Sequence, residues 1–185
     1  MLQYLRQNEN LYLISSRGNK KLWYKPNIPN TLPIGEQEMP VATEILTSST
    51  GVFKPLPVSI AGWMSFDRHS GGRISSATAF VSFSPCGKAK PIIEISKRNW
   101  SPVEWGKGSR LVYGLDDTYM SHFCAGIMNG LLSTLSHPVA DIKVEILSAI
   151  TDKVNASQRA FEGVGQWLAE ALLIEMCKRD CFQNL

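Results

Sequence analysis

The sequence is poor in the residues that build catalytic metal sites. It contains three histidines and four cysteines among 185 residues. The histidines are scattered and form no H-E-x-x-H pair, so a metal site is not expected. The cysteines lack zinc-site spacing, and we expect them to be reduced thiols in a cytoplasmic protein. The sequence thus predicts neither a metal ion nor another cofactor.

Long apolar runs are also missing. No stretch of about 18 consecutive apolar residues occurs, so the sequence predicts no transmembrane helix and no membrane partner. The N-terminal residues lack the basic and apolar regions of a signal peptide. Hydrophobic residues make up 44% of the chain and charged residues 19%. These values are typical of a folded globular protein rather than a disordered one.

Several signatures of enzymes are absent from the sequence as well. The G-K-G-S stretch at 106–109 lacks the upstream glycine of a phosphate-binding loop, so no nucleotide ligand is predicted. Ser70 does not stand in the G-x-S-x-G pattern of a nucleophile elbow. Asp116 and Asp117 are better explained as the acidic start of a helix than as a catalytic acid and base. We therefore expect a protein that is not an enzyme.

The apolar pattern predicts an α+β fold. Asp116 and Thr118 precede apolar residues at three- and four-residue steps, and Asn155 with Gln158 forms a capping-box-like start for a second helix. The first helix is expected to begin at 116, and the second to span 156–177. Strands are expected at 57–62, 78–83, 91–95 and 139–147. We predict an antiparallel or mixed sheet with two helices on one face.

The first part of the chain differs from the rest. Short strand-like runs flank a turn signal, and a proline-rich stretch at 26–33 is typical of an extended connector. Regular apolar patterning begins only at Leu56. The sequence therefore predicts an N-terminal strand-rich extension with a connector at 1–55, and one domain at 56–185.

Cations are concentrated in the middle of the chain. The segment between Cys86 and Arg110 carries two acidic residues and six basic ones, namely Lys88, Lys90, Lys97, Arg98, Lys107 and Arg110. It also contains Trp100 and Trp105, so it would offer charge and stacking surfaces to RNA. The alternative is a solvated hairpin whose tryptophans pack on the core. From residue 111 onward, nine acidic residues face five basic ones.

Two blocks in the C-terminal half carry a family pattern. The sequence reads H-P-V-A-D-I-K-V at 137–144 and V-N-A-S-Q-R-A-F at 154–161. It resembles the fourth domain of elongation factor G, the ribosomal translocase, whose segments read roughly G-Y-P-V-V-D-V-K-V and V-D-S-S-E-M-A-F. The R-H-S-G-G-R stretch at 68–73 is similar to a family R-Q-S-G-G-R loop. Tyr119 and Gly126 match a tyrosine and a glycine of a family helix.

The resemblance implies a stand-alone domain without the GTPase part of that factor. Its fold would be the ribosomal-protein type seen in domain two of ribosomal protein S five, with a βαβα half. Its partner would be the ribosome or another structured RNA. Two loops, at 68–73 and 148–155, would form a tip. The RNA contacts of these loops would come from Arg68, His69, Gly71, Gly72, Arg73, Thr151, Asp152 and Lys153.

The second loop departs from the family pattern. Thr151 and Asp152 stand where the family carries a tyrosine and a histidine, and an acidic side chain facing RNA is unfavourable. The first loop would equally fit a tight hairpin with solvated arginines. A second hypothesis is therefore a protein-interaction module that keeps the fold but not the RNA target. An exposed apolar patch around Trp63, Trp100 and Trp105 would distinguish it.

Overall fold

The structure is a computed structural model, and it describes residues 38–45, 53–57, 59–70, 73–98, 103–104 and 111–178. Within these ranges the chain forms strands and two helices. The strands are β1 (Glu38–Ile45), β2 (Lys54–Pro55), β3 (Ile60–Ser70), β4 (Arg73–Pro85), β5 (Ile92–Arg98), β6 (Val103–Glu104), β7 (Leu111–Tyr113), β8 (Val139–Ala140) and β9 (Ile142–Asp152). The helices are α1 (Asp117–Ser133) and α2 (Gln158–Lys178).

A mixed sheet organises the fold. Its main strands lie in the order β1-β5-β9-β4-β3, while β7 pairs with β9 and β6 pairs with β7. These pairs are antiparallel except for β5 with β9, which run parallel. β2 and β8 form a separate parallel pair. A mixed sheet with two helices is an α+β fold, so the predicted fold class is confirmed.

β1 carries the sheet into the predicted N-terminal extension. It pairs with β5 from Glu38 opposite Arg98 to Ile45 opposite Ile92. The boundary predicted after residue 55 therefore does not separate the extension from the sheet, because β1 is itself a strand of that sheet. The strand-like runs and the connector predicted before residue 38 lie outside the described residues.

The β3–β4 hairpin is longer than the sequence predicts. Pairing runs without interruption from Ile60 opposite Phe83 to Ser70 opposite Arg73. The prediction ended the first strand at 62 and began the second at 78, with a glycine-rich turn between them. Cross-strand pairing extends both strands through residues of modest β-propensity, since such propensity depends strongly on context.

β9 also extends beyond its predicted end. β4 pairs with β9 up to Thr78 opposite Ile150, and β7 pairs with its last residues up to Leu111 opposite Asp152. The predicted loop at 148–155 is therefore wrong in its bounds, because residues 148–152 belong to the strand. Pairing on both edges holds this end of β9 in the sheet.

Both helices begin at a side-chain cap. At α1 the carboxylate of Asp116 accepts the N–H of Thr118 at 2.8 Å, which confirms the predicted acidic start. At α2 the cap is Ser157, whose Oγ accepts the N–H of Ala160 at 3.2 Å. The predicted cap at Asn155 is wrong, because that side chain is buried in the preceding turn.

Glycines bring α1 and α2 into close contact. A Cβ atom on Gly126 would overlap the carbonyl oxygen of Glu162, and one on Gly130 would lie 2.6 Å from the carbonyl oxygen of Gln166. Since the contacts advance along both helices together, the two helices run parallel. Each glycine costs about 1 kcal/mol relative to alanine in a helix interior, and the packing of the helices offsets this cost.

α2 packs on β3 and β4, where Gly62 faces the side chains of Leu168 and Leu172. Successive strand residues point to opposite faces of a sheet, so Trp63 points away from α2. On that face it stacks on Phe80 with the ring centroids 4.9 Å apart, and it is 1% exposed. Trp63 therefore contributes nothing to an exposed apolar patch. The other two tryptophans of the expected patch, at 100 and 105, lie outside the described residues.

Candidate functional site

Two chain segments meet at one end of the sheet. The β3–β4 hairpin closes with Ser70 opposite Arg73. β9 runs antiparallel to β4 and reaches the same end, where the chain turns into α2. We call these two segments, the hairpin end at 68–73 and the turn at 153–157, the tip.

Hydrogen bonds join the turn to β4, two and three residues beyond the hairpin end. The N–H of Ser76 donates to the carbonyl oxygen of Asn155 at 2.8 Å, and the hydroxyls of Ser75 and Ser157 lie 2.6 Å apart. Because Ser157 also caps α2, the hairpin, the turn and the helix start are fixed to one another. Arg73 precedes Ser76 by three residues, so the hairpin end extends about 10 Å beyond the turn.

The turn is organised around the carboxylate of Asp152. Its Oδ1 accepts the N–H of Val154 at 2.9 Å and that of Asn155 at 3.2 Å, while its Oδ2 accepts the side-chain amide of Asn155 at 2.9 Å. The carbonyl oxygen of Asp152 accepts the N–H of Ala156 at 2.8 Å. The Asp152 residue is 4% exposed. Such local side-chain bonds are a standard way for aspartate to build a turn.

The neighbouring threonine is also directed inward. Thr151 is 7% exposed, and its hydroxyl donates to the carbonyl oxygen of Gly114 at 2.7 Å. Two of the residues expected to face RNA, Thr151 and Asp152, are therefore buried and bonded within the chain. The unfavourable carboxylate that the sequence placed at the surface of the tip does not face solvent.

Other side chains form the surface of the turn. Lys153 is exposed, and so are Gln158 and Arg159 at the start of α2. Val154 is 72% exposed, the largest exposure among the big apolar side chains of the described residues. Sequence patterns did not point to Val154 or Arg159. The V-N-A-S-Q-R-A-F block placed the two residues in the turn and at the start of the helix, but it did not predict that their side chains are exposed.

The predicted hairpin residues lie at the tip by their backbone positions. Arg68 and His69 belong to the last residues of β3, and Arg73 begins β4. The side chains of these three residues lie outside what the structure describes. Gly71 and Gly72, also predicted to contact RNA, fall outside the described residues.

The predicted basic segment does not form one cationic surface within the part of the chain that the structure describes. Three of its cations are paired with carboxylates: Lys88 with Glu94, Lys97 with Asp117 at 3.3 Å, and Arg98 with Glu145. Lys90 is exposed. Lys107 and Arg110 lie outside the described residues.

Lys88 and Lys90 are also remote from the tip. They follow Pro85, the last residue of β4, whereas the tip lies at the first residue of that strand, Arg73. A strand of 13 residues spans roughly 40 Å. The predicted tip cations and these two lysines therefore sit at opposite ends of the sheet, and we call the end at 86–91 the base.

The fold is shared with a protein of known structure. The crystal structure of the protein ttk003000868 from Thermus thermophilus matches with a TM-score of 0.52 and 14% sequence identity. The match covers 66% of this chain and 17% of that protein, so the matched part of this chain corresponds to a small part of that protein. At this identity the similarity is one of fold. The sequence matches no protein-family model and no curated protein.

Asp141, in the H-P-V-A-D-I-K-V block at 137–144, has a structural role at the base. The carboxylate of Asp141 accepts the N–H groups of Lys88 and Ala89 at 2.9 and 3.1 Å, and its carbonyl oxygen accepts the N–H of Cys86 at 2.8 Å. Asp141 adopts a φ of 56°, which few residues other than glycine, asparagine and aspartate adopt. Asp141 therefore joins the segment that follows β4 to the start of β9 through hydrogen bonds.

Two thiols in the described part of the chain are poor nucleophiles. Burial raises the pKa of Cys86 to about 11, and the adjacent Glu94 carboxylate contributes to the rise. Burial likewise raises the pKa of Cys124 to about 11. Both thiols stay protonated at neutral pH, whereas nucleophilic and metal-binding cysteines react as thiolates.

Two further features are absent from the described ranges. No group of three or more histidine, cysteine, aspartate or glutamate side chains is placed to hold a metal ion among the residues that the structure describes. Neither of the helices described is long and apolar enough to cross a membrane.

Proposed function

We propose that the chain is a non-catalytic, cytoplasmic module that binds the ribosome or another structured RNA through its tip. In this proposal it is a relative of domain four of elongation factor G. The observation that carries the proposal is that hydrogen bonds join the turn to β4 next to the hairpin end, at one end of the sheet, with exposed Lys153 and Arg159 beside them. A projecting, internally bonded end suits contact with a large partner.

The charges of the tip favour a phosphate-rich partner. Lys153 and Arg159 are exposed, and Arg68 and Arg73 flank the hairpin turn in the sequence. Arginine and lysine bind phosphate oxygens, and arginine does so with two parallel hydrogen bonds. The inward direction of Asp152 removes the main electrostatic objection to RNA at this surface.

Cosedimentation with purified ribosomes at several salt concentrations tests this function. Wild type should bind with an affinity that falls steeply with salt, because bound phosphates release counterions. The double variant Arg68→Ala/Arg73→Ala should bind more weakly, with a salt slope smaller by roughly one for each phosphate that it no longer binds. The matched control is Lys90→Ala at the base, which should bind as wild type does. No cosedimentation, or a flat salt response, would contradict the proposal.

A second candidate is a protein-interaction module with the same fold. It is favoured by the exposed Val154 and by the neutralisation of Lys88, Lys97 and Arg98 through ion pairs. Under this alternative, binding to a partner would change little with salt and would respond to Val154→Ser more than to loss of the tip arginines.

A further inference from the structure

Asp152 is a buried acidic residue in a segment that connects a strand to a helix. Burying a carboxylate is unfavourable unless hydrogen bonds satisfy it. Here both oxygens accept hydrogen bonds, from the backbone of Val154 and from the backbone and side chain of Asn155. The carboxylate therefore fixes the backbone of the turn instead of meeting a ligand.

The residues that follow this carboxylate are the exposed ones. Lys153 is exposed and Val154 is 72% exposed, and the N–H of Val154 donates directly to Asp152 Oδ1 at 2.9 Å. At the other side of the turn, Asn155 and Ser157 tie the backbone to β4. The direction of the two exposed side chains thus depends on a carboxylate that is itself out of reach of any partner.

We infer that Asp152 is a positioning residue of the tip, which holds Lys153 and Val154 in the orientation that binds structured RNA. The inference rests on the function proposed above and assigns a role to a residue that the resemblance placed among the ligand contacts. A binding element that is already ordered loses less conformational entropy when its partner binds. Asp152 therefore contributes to affinity without touching the ligand.

The first test measures binding of purified ribosomes, and of a folded RNA hairpin, at one fixed salt concentration. Asp152→Ala removes the hydrogen bonds that fix the turn. It should weaken binding by roughly tenfold, since the conformational entropy lost on ordering one residue corresponds to about that factor in affinity. The exchange variant Asp152→Asn/Asn155→Asp keeps all three hydrogen bonds with amide and carboxylate reversed. It should restore binding to within about twofold of wild type.

A double-mutant cycle separates positioning from a general loss of stability. Lys153→Ala should weaken binding in the wild-type background and have little further effect in the Asp152→Ala background, because the lysine is then no longer held in place. Measurements are made well below the unfolding temperature of each variant. Independent, additive effects of the two substitutions would overturn the inference, as would an exchange variant that binds no better than Asp152→Ala.

A ligand-free measurement distinguishes failure of this inference from failure of the proposed function. Hydrogen exchange of the Val154 amide should be slow in wild type, fast in Asp152→Ala and slow again in the exchange variant, with α2 amides unchanged throughout. If wild type binds neither ribosomes nor the RNA hairpin, the proposed function fails and the exchange rates decide whether Asp152 holds the turn. Equal Val154 exchange in wild type and Asp152→Ala would overturn the positioning role.

Discussion

Individual residues in this protein take roles that their chemical type does not reveal. Asp141 and Asp152 are both buried, and each carboxylate accepts two backbone N–H groups. The sequence predicted that Asp152 faces RNA, and it assigned the α2 cap to Asn155. The direction of a side chain depends on partners that are often far away in the sequence, such as Lys88, which lies 53 residues from Asp141. Residue type alone gives the chemistry of a side chain but not that direction.

Replacement of Asp116 tests whether a single capping side chain stabilises α1. Asp116→Ala should lower the free energy of unfolding by about 1 kcal/mol at pH 7, because the N–H of Thr118 loses its acceptor. Hydrogen bonds from the side chain of Thr118 and from its backbone N–H lower the pKa of Asp116 below its usual range. The stabilisation is therefore complete above about pH 4 and is lost as the pH falls further. Urea unfolding at pH 7 and pH 3 measures both effects.

The neighbouring acid serves as the control for this prediction. Asp117 is exposed and pairs with Lys97 at 3.3 Å, and a pair of this kind contributes little. Asp117→Ala should therefore cost less than Asp116→Ala at pH 7. A larger loss for Asp117→Ala, or a loss for Asp116→Ala that is equal at both pH values, would show that the cap is not the source of the effect.

At the scale of elements, helices were easier to predict than strands. The apolar periodicity of α1 is a local property. Its predicted start at Asp116 is confirmed, and Phe123, Ile127 and Leu131, which follow the three- and four-residue steps, are buried. The ends of β3, β4 and β9 were missed because pairing with distant strands, and not local composition, extends them. The two-residue strands are likewise set by their partners.

The contact between the helices gives a prediction at this scale. Gly126→Ala should lower the free energy of unfolding by at least about 2 kcal/mol, because the new Cβ overlaps the backbone carbonyl of Glu162 and backbone does not yield easily. The better helix propensity of alanine returns only about 1 kcal/mol. Thermal or denaturant unfolding measures the change.

Gly163→Ala is the matched control on the partner helix. The atoms nearest to a Cβ at this position belong to the ring of Trp167, the first of them at 3.3 Å. This variant should be close to wild type in stability, or more stable by up to about 1 kcal/mol. Equal stabilities of the two alanine variants would contradict the close contact that we describe.

At the scale of the whole molecule, the fold class and the meeting of two loops at one end follow from the sequence and its resemblance. The sequence does not predict that β1 belongs to the sheet, because β1 pairs with β5 across roughly fifty residues of chain. The sequence also could not predict whether the basic residues of the middle segment form one surface. Lys88, Lys97 and Arg98 are neighbours in the sequence, but each pairs with a different carboxylate.

The most direct measurement of the central claim is site-specific photo-crosslinking to purified ribosomes. A photoreactive amino acid replaces either Val154 at the tip or Lys90 at the base, which are both exposed and lie at opposite ends of the sheet. We predict crosslinks to ribosomal RNA from position 154 and none from position 90. Crosslinks to RNA from position 90 with none from position 154 would contradict the assignment of the tip as the binding surface.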